Sequence, residues 1–452
     1  MTEFLEKVSG PTPEPPEEKK EERKPIKVRC SFFFDGTLNN RKNTKARLDN
    51  SDAYKKNKGS KKQGDGSYEN DYTNVSTLEA NLLPKADGHD EMISIYTEGP
   101  GTVNYSGDET RGFAFGSGDT GVKMKVSIGI NDAVRLISKG KDKRRKPEKF
   151  IIEKLTLDVF GFSRGAAAAR YCIYKLLKDK NRSIHKRLEL AGFEVAEKAI
   201  EVCFAGLFDT VSSYNGGQYL HTDNWVLALK SVSEAKKVVQ LAAAEEHRKN
   251  FPLHNIKSAG GKGEQFYLPG VHSDVGGSYR EGEMGDEDMV VFEGGQWEAE
   301  RDSKNLIESG WYKPEEVTEE IISVDEFGVP DFVKTKVTRK GISNAYCSIP
   351  LKIMVAYARD NGIDVKTSLD KKASRKIKKI PELGVLEKHV KVHIAAGSSK
   401  SSAEYWIDFH KKEKWYGQIR HGHLHFSAKC ELGLSPRLGF FSGKRQRYEF
   451  DG

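Results

Sequence analysis

Runs of apolar residues alternate with segments of helical periodicity along most of the chain. Continuous apolar runs predict buried strands at residues 28–34, 93–96, 155–160, 202–208, 266–268 and 424–427. Apolar positions at helical spacing predict helices at residues 74–83, 122–137, 164–177, 225–247 and 349–360. Strands that alternate with helices are typical of a mainly parallel sheet covered on both faces. The pattern therefore predicts an α/β protein.

Polar segments interrupt this pattern. Residues 1–25 combine Pro, Glu and Lys without aliphatic periodicity, which predicts a disordered charged tail. Residues 26–452 then form one large domain, which is long enough to carry insertions. We expect these insertions at residues 40–73 (a long polar loop), 281–340 (acidic and irregular) and 365–400.

Composition excludes several classes of protein. The hydrophobic fraction is 37% and the charged fraction 31%, and no apolar run approaches the roughly 18–20 residues that a membrane-spanning helix needs. The first residues contain no apolar signal-peptide core, so we expect synthesis in the cytoplasm without a signal peptide. The five cysteines are widely spaced and form no CxxC pair, which argues against a disulfide framework or a cysteine zinc site.

The net charge of +8 comes largely from two basic runs, at residues 139–149 and 371–379. Basic runs can bind nucleic acid or anionic lipid head groups, but most are solvated surface loops. No aromatic residues are interleaved with these two runs, so we expect no nucleic-acid partner.

A Gly-x-Ser-x-Gly pattern occurs once, at residues 161–165 (GFSRG). In a chain with 43 glycines the pattern alone is weak evidence. Its context is stronger, because a predicted strand precedes it and a predicted helix that begins with four alanines follows it. A nucleophile elbow needs this strand–turn–helix arrangement, and its glycines make room for the tight turn. We therefore predict a serine hydrolase with Ser163 as its nucleophile.

Two later residues complete a predicted catalytic triad. In hydrolases of this architecture, the acid and then the histidine follow the serine along the chain. Asp209 directly follows a predicted strand, and His272 lies in a glycine-rich loop directly after another. We expect His272 to act as general base and Asp209 to orient it. Asp274 is the alternative acid, and His247, on a predicted solvated helix face, is the alternative base.

The oxyanion hole of such an enzyme combines two backbone N–H groups. One belongs to the residue after the nucleophile, here Arg164. The other comes from a loop after an early strand, and Gly36 or Thr37 is the natural candidate in the turn that follows residues 28–34.

Three further motifs are weaker. Residues 34–38 (FDGTL) are similar to the aspartyl-phosphate phosphatase motif, but Phe33 stands where the nucleophile belongs. Residues 116–121 match GxGxxG, yet no strand precedes them closely, so a dinucleotide site is not expected. Three alternating histidines would share one face of a strand and could bind zinc: His421, His423 and His425. No carboxylate accompanies them nearby, and we expect neither a metal nor a cofactor.

Taken together and in this order, several motifs resemble the type VI secretion lipase effectors that carry a GxSxG elbow. The segments that carry the resemblance are residues 34–37, 161–166, 207–211, 270–277, 349–351 and 425–428. The resemblance covers about residues 28–430. It implies an α/β-hydrolase fold and assigns the roles of nucleophile, acid and base to Ser163, Asp209 and His272.

The resemblance also implies a biological role. It implies phospholipase A activity on membrane glycerophospholipids of a rival bacterium, and delivery into the target-cell periplasm by the type VI apparatus. The implied partners are a phospholipid membrane surface, a cognate immunity protein and a component of the secretion apparatus. Two alternatives stay open from the residues themselves: an esterase or peptidase with a soluble substrate, and a non-catalytic adaptor that binds a membrane or a partner.

Overall fold

The computed structural model describes residues 22–57, 66–141, 143–214, 223–281, 286–439 and 443–452. The central sheet of this part of the chain has seven strands: β1 (Lys24–Phe34), β2 (Glu91–Thr97), β3 (Phe150–Phe162), β4 (Glu194–Val195), β5 (Ile200–Phe208), β6 (Lys237–Ala243) and β8 (Gly263–Leu268). A second sheet consists of β9 (Glu287–Gly294), β10 (Val317–Val324) and β11 (Pro330–Arg339). The short strands β7 (Leu253–His254) and β12 (Glu449–Phe450) pair with each other.

All pairings in the central sheet are parallel, in the order β2-β1-β3-β5-β6-β8, with β4 beside β3. The last residues of neighbouring strands are in register, since Phe162 of β3 pairs with Phe208 of β5, and Phe208 pairs with Leu241 of β6. Parallel strands end at the same edge of a sheet, and ligands bind outside their carboxyl ends. The residues that follow β3 and β5 therefore meet at one edge.

Helices cover both faces of this sheet, as the sequence predicted. The helices of the described residues are α1 (Arg41–Leu48), α2 (Asp52–Asn57), α3 (Gly66–Glu69), α4 (Asn74–Glu79), α5 (Thr110–Phe115), α6 (Val122–Lys139), α7 (Arg164–Leu177), α8 (Ile184–Leu190), α9 (Asp223–Val226), α10 (His272–Gly276), α11 (Gln296–Glu308), α12 (Ser348–Asp360), α13 (Thr367–Lys378), α14 (Pro381–Ala395), α15 (Ala403–Ile407), α16 (Phe409–Lys412) and α17 (Trp415–His423). Helices α6, α7 and α8 pack on one face, and α4 and α12 on the other. The predicted α/β architecture is confirmed.

One long predicted helix, at residues 225–247, is wrong. The segment forms the short helix α9, a 3₁₀ turn at Leu229–Glu234 and then the strand β6. The residues of β6 from Val238 onward are buried, and β6 pairs with β5 on one side and β8 on the other. A fully buried parallel strand is a continuous apolar run. Such a run also contains apolar residues at helical spacing, so the pattern alone does not distinguish a strand from a helix.

Several predicted boundaries also differ from the structure. Residues 1–21 of the predicted tail lie outside the described residues, and β1 already begins at Lys24. The expected loop at 40–73 contains α1, α2 and α3, and the Asn40 side chain caps α1 by accepting backbone N–H groups. Residues 424–427 form no strand.

The other two expected insertions are regular. Residues 281–340, predicted to be irregular, contain α11 and the antiparallel sheet β10-β11-β9. Residues 365–400 form α13 and α14. Among the helices that the structure describes, none is long and apolar enough to cross a membrane.

Removing a buried ion pair between β1 and β3 is expected to destabilise the fold. Arg29 donates two 2.8 Å hydrogen bonds to Asp158, and both side chains are buried. Arg29→Met leaves the Asp158 charge unpaired, so we expect the free energy of unfolding to fall by about 3–5 kcal/mol in urea titrations. The exposed Arg135–Asp132 pair is the control, because Arg135→Met should cost less than about 1 kcal/mol. Equal losses in the two variants would contradict the prediction.

Candidate active site

Ser163 lies at the sharp turn between β3 and α7. Its backbone has φ 58° and ψ −128°, a strained conformation for a residue with a side chain. A Cβ added at Gly161 would lie 2.2 Å from the backbone oxygen of Gly165, and one at Gly165 would lie 2.2 Å from that of Phe34. Both positions therefore require glycine. This strand–turn–helix geometry is that of a nucleophile elbow.

Asp209 and His272 meet beside this elbow. Asp209 directly follows β5, and His272 is the first residue of α10. The imidazole Nδ1 of His272 donates to Asp209 Oδ2 at 2.5 Å, and both side chains are buried. The ring of His272 lies 4.6 Å, centroid to centroid, from that of Phe162, the residue before Ser163. The structure thus brings the three predicted triad residues to one edge of the sheet.

The charge states of the pair suit proton transfer. Burial raises the pKa of Asp209, but the positive charge of Arg447 and the hydrogen bond from His272 outweigh it and lower this pKa to about 2. Burial lowers the pKa of His272 more than Asp209 raises it. At neutral pH Asp209 is therefore ionised and the imidazole neutral. With its Nδ1 proton directed at Asp209, Nε2 is the free acceptor of a general base.

The hydroxyl of Ser163 forms no hydrogen bond with any described residue. The missing hydrogen bond does not argue against Ser163 as a nucleophile, since catalytic hydrogen bonds in unliganded enzymes are often long and tighten in the complex.

The alternative acid and base occupy different positions. Asp274 Oδ1 accepts from His425 Nδ1 at 2.8 Å, and its Oδ2 accepts the Val271 N–H at 3.0 Å, so this carboxylate holds the start of α10. His247 is buried rather than on a solvated helix face, and burial together with the charge of Arg445 lowers its pKa to about 3. Neither group replaces Asp209 or His272 in this arrangement.

The predicted oxyanion donors lie on two adjoining segments. Arg164 is the first residue of α7, where backbone N–H groups have no partner within the helix. The Gly36 N–H donates to Asp35 Oδ1 at 2.8 Å, whereas the Thr37 N–H has no acceptor among the described residues. The Arg164 side chain bonds Thr37 Oγ1 at 2.7 Å and so ties the segments together. The geometry favours Arg164 and Thr37 over Gly36.

Asp35, beside these donors, is a buried carboxyl group. It accepts hydrogen bonds from Tyr96 Oη at 2.6 Å and Thr73 Oγ1 at 2.7 Å. Burial nevertheless raises its pKa to about 6. These bonds hold the turn that carries Gly36 and Thr37.

Two charged residues at the site have no signal in the sequence. Arg447 forms a bidentate ion pair with Asp209, at 2.7 and 2.8 Å. Glu246 Oε2 accepts the backbone N–H of His272 at 3.2 Å. Electrostatics favours a cation beside the catalytic acid, but the sequence contains 74 lysines and arginines and does not indicate which of them lies there. These partners depend on spatial proximity alone.

The histidines at 421–425 do not share a strand face, because the strand predicted at 424–427 is absent. His421 and His423 lie in α17, and His425 follows it. His421 bonds Glu316 at 2.9 Å, whereas His425 bonds Asp274. Within the described ranges, no group of three or more candidate ligands could hold a metal ion. Residues 116–121 lie between α5 and α6, with no strand directly before them.

Part of the chain is similar to a known family of effectors. Residues 175–292 match the family model for the Tle1-like phospholipase effector of the type VI secretion system (T6SS), catalytic domain. The matched range includes Asp209 and His272 and begins after Ser163. The motif-based resemblance to type VI secretion phospholipase effectors is confirmed by this match. No curated protein sequence matches the chain significantly.

A solved structure shows the same fold. The structure of the Tle1 effector bound to the VgrG spike from the type 6 secretion system aligns with a TM-score of 0.56 and 21% identity, covering 96% of this chain and 95% of that one. An uncharacterized protein from Pseudomonas aeruginosa aligns with a TM-score of 0.36 and 18% identity, over 76% of this chain and 47% of that one. The first alignment confirms the α/β-hydrolase-like architecture.

Proposed function

We propose that this Tle1-like chain is a serine phospholipase that cleaves acyl esters of membrane glycerophospholipids. The observation that carries the proposal is the buried Asp209–His272 pair beside a strained Ser163 at the carboxyl edge of a parallel sheet. A carboxylate, an imidazole and a serine hydroxyl in this order are the components of nucleophilic acyl transfer.

Each residue has one role in the proposed reaction. His272 Nε2 takes the proton of Ser163 Oγ, which attacks the ester carbonyl carbon, while ionised Asp209 stabilises the imidazolium. The N–H groups of Arg164 and Thr37 donate hydrogen bonds to the carbonyl oxygen and stabilise the negative charge that develops on it. The imidazolium then protonates the departing alcohol oxygen, which leaves an acyl-serine. Water, deprotonated by the same imidazole, releases the fatty acid.

Exposed apolar side chains on a segment that contacts the elbow support a lipid substrate. The segment 99–121 carries Val103, Tyr105 and Phe115, each of which is more than one third exposed. This segment contacts the elbow directly, because Arg164 Nη2 donates to a backbone carbonyl of α5. Exposed apolar side chains at the mouth of a site are suited to an acyl chain or a membrane surface.

Incubating the pure chain with phosphatidylglycerol and phosphatidylethanolamine vesicles should release free fatty acid and the corresponding lysophospholipid, detected by mass spectrometry. The rate should rise when the concentration of a soluble short-chain ester passes its critical micelle concentration, because a lipase is more active at a lipid–water interface. A matched preparation of Ser163→Ala controls for contaminating lipases. Equal rates below and above that concentration, with no fatty acid from vesicles, would favour an esterase with a soluble substrate. Failure of a fluorophosphonate to label the chain would favour an adaptor.

The same resemblance supports proposals about partners. The Tle1 effector is described in complex with the VgrG spike. We propose that this chain likewise engages a spike component, acts as an antibacterial effector in the target-cell periplasm and is neutralised in the producing cell by a cognate immunity protein.

A further inference from the structure

The last segment of the chain lies against the catalytic acid. Residues 443–452 include β12, and Arg447 in this segment bonds Asp209, which lies 238 positions earlier in the sequence. The Arg447 side chain is only 10% exposed and that of Asp209 is fully buried. Buried charges destabilise the folded state unless they are paired and hydrogen-bonded. The ion pair is therefore a structural component of the site.

The guanidinium of Arg447 is held on both sides. Nη1 and Nη2 each bond one oxygen of Asp209, while Nε donates to the Phe251 backbone oxygen at 2.8 Å and Nη1 to that of Ala243 at 3.2 Å. Asp209 Oδ1 also accepts the Ala243 N–H at 2.8 Å. A planar fork with fixed donors orients a carboxylate in a way that a lysine cannot.

The segment that carries Arg447 is anchored independently of this contact. The pairing of β12 with β7 is supported by hydrogen bonds from Asn255 Nδ2 to Glu449 at 3.0 Å and to Asp451 at 2.8 Å. On the other side of Arg447, Arg445 bonds Asp302 at 2.7 Å. The backbone therefore stays in place when the guanidinium alone is removed.

We propose that Arg447 is a positioning residue and that residues 443–452 form a strap that completes the catalytic centre. Its fork holds Asp209 ionised, in the orientation that directs Oδ2 at His272 Nδ1. It touches neither the substrate nor the reacting atoms. This inference rests on the proposed function, because it assigns a role to Arg447 in the reaction of Ser163.

Removing Arg447 also changes the titration of the pair. Its charge favours ionised Asp209, so its loss raises the apparent pKa at which the Asp209–His272 pair takes up a proton. The other charges that face the pair stay in place: Glu246 favours the imidazolium and Arg248 opposes it. The acid limb of the pH–rate profile therefore moves to higher pH, whereas a purely structural defect lowers the rate without moving the limb.

The experiment measures fluorophosphonate labelling of Ser163 and kcat for a soluble ester, each across pH, in the full chain. Arg447→Ala should lower both rates about 100-fold with little change in KM. It should also move the acid limb of the pH–rate profile to a pH about one unit higher. Guanidinium ion should restore part of the rate, because a cavity of about 410 Å³ adjoins Arg447 and lets the ion reach the vacated space. Arg145→Ala, which removes a similarly buried and ion-paired arginine outside the strap, should keep the wild-type limb.

Each other outcome is decisive. A wild-type rate and pH profile in Arg447→Ala, or the same shift of the limb in Arg145→Ala, would overturn the inference. If Arg447→Ala does not fold, Arg447→Lys is measured instead; it keeps the charge but not the fork, and should lose about 10-fold in rate with an unmoved limb. Full activity in Arg447→Lys overturns the proposed fork. An unsubstituted chain that is not labelled contradicts the proposed function itself, and the inference falls with it.

Discussion

Ser163→Ala is expected to lower kcat for ester hydrolysis by about 10⁶-fold, which in practice abolishes fatty-acid release. The loss is this large because the hydroxyl is the group that becomes acylated, and the remaining imidazole and oxyanion donors can assist only direct attack by water. The measurement is the initial rate of fatty-acid release from vesicles, with fluorophosphonate labelling as the second readout. Retained hydrolysis in this variant would rule out Ser163 as nucleophile.

The chain offers a matched control for this variant. Ser212 is also buried near the end of β5 and bonds a histidine, with 3.3 Å between its Oγ and His254 Nε2. Ser212→Ala should keep activity within about threefold, since it lies outside the triad. The backbone supplies a further check. Because Ser163 has a positive φ, Ser163→Gly should be inactive yet more stable than the wild type by about 1 kcal/mol in urea unfolding.

Asp209→Asn is expected to lower kcat by about 10⁴-fold, with a folded chain and little change in KM. An amide in place of the carboxylate cannot stabilise the imidazolium, and its NH₂ group can turn His272 to the wrong tautomer. It also leaves Arg447 without its counter-charge. Steady-state kinetics on a soluble ester and the rate of fluorophosphonate labelling measure the loss.

Asp274→Asn separates this effect from general damage near α10. Asp274 is buried, lies two positions after His272 and bonds another histidine, His425, so the two substitutions are chemically alike. We expect Asp274→Asn to cost no more than about tenfold, through a looser start of α10. If Asp274→Asn were the more damaging of the two, the assignment of Asp209 as the acid would be wrong.

Local signals in the sequence predicted much of this arrangement. Helix α7 has the predicted bounds, because a strained serine between glycines stops the preceding strand and a run of alanines favours the helix that follows. The ends of β3 and β5 fall within two residues of their predicted positions, so Ser163 and Asp209 follow them as expected. In both cases the controlling interactions lie within a few residues of each other.

Predictions failed where the deciding contacts are distant in sequence. The apolar residues of β6 fit helical spacing, but they become a strand through pairing with β5 and β8. His421 and His423 lie in α17, and residues 424–427, which were predicted as a strand, follow it as an irregular segment whose His425 bonds the distant Asp274. Period alone cannot detect such pairings.

By itself, the sequence determined the α/β class and predicted Ser163, Asp209 and His272 as the catalytic residues, because turn chemistry and strand ends are local properties. Only the tertiary structure decided which charges surround them. In the structure Asp209 forms an ion pair with Arg447, and Asp274 bonds His425. The Gly36 N–H donates to the Asp35 carboxylate. Ion pairs and hydrogen bonds act over a few ångströms in space, and the number of residues between two partners in the sequence does not reveal whether they come that close.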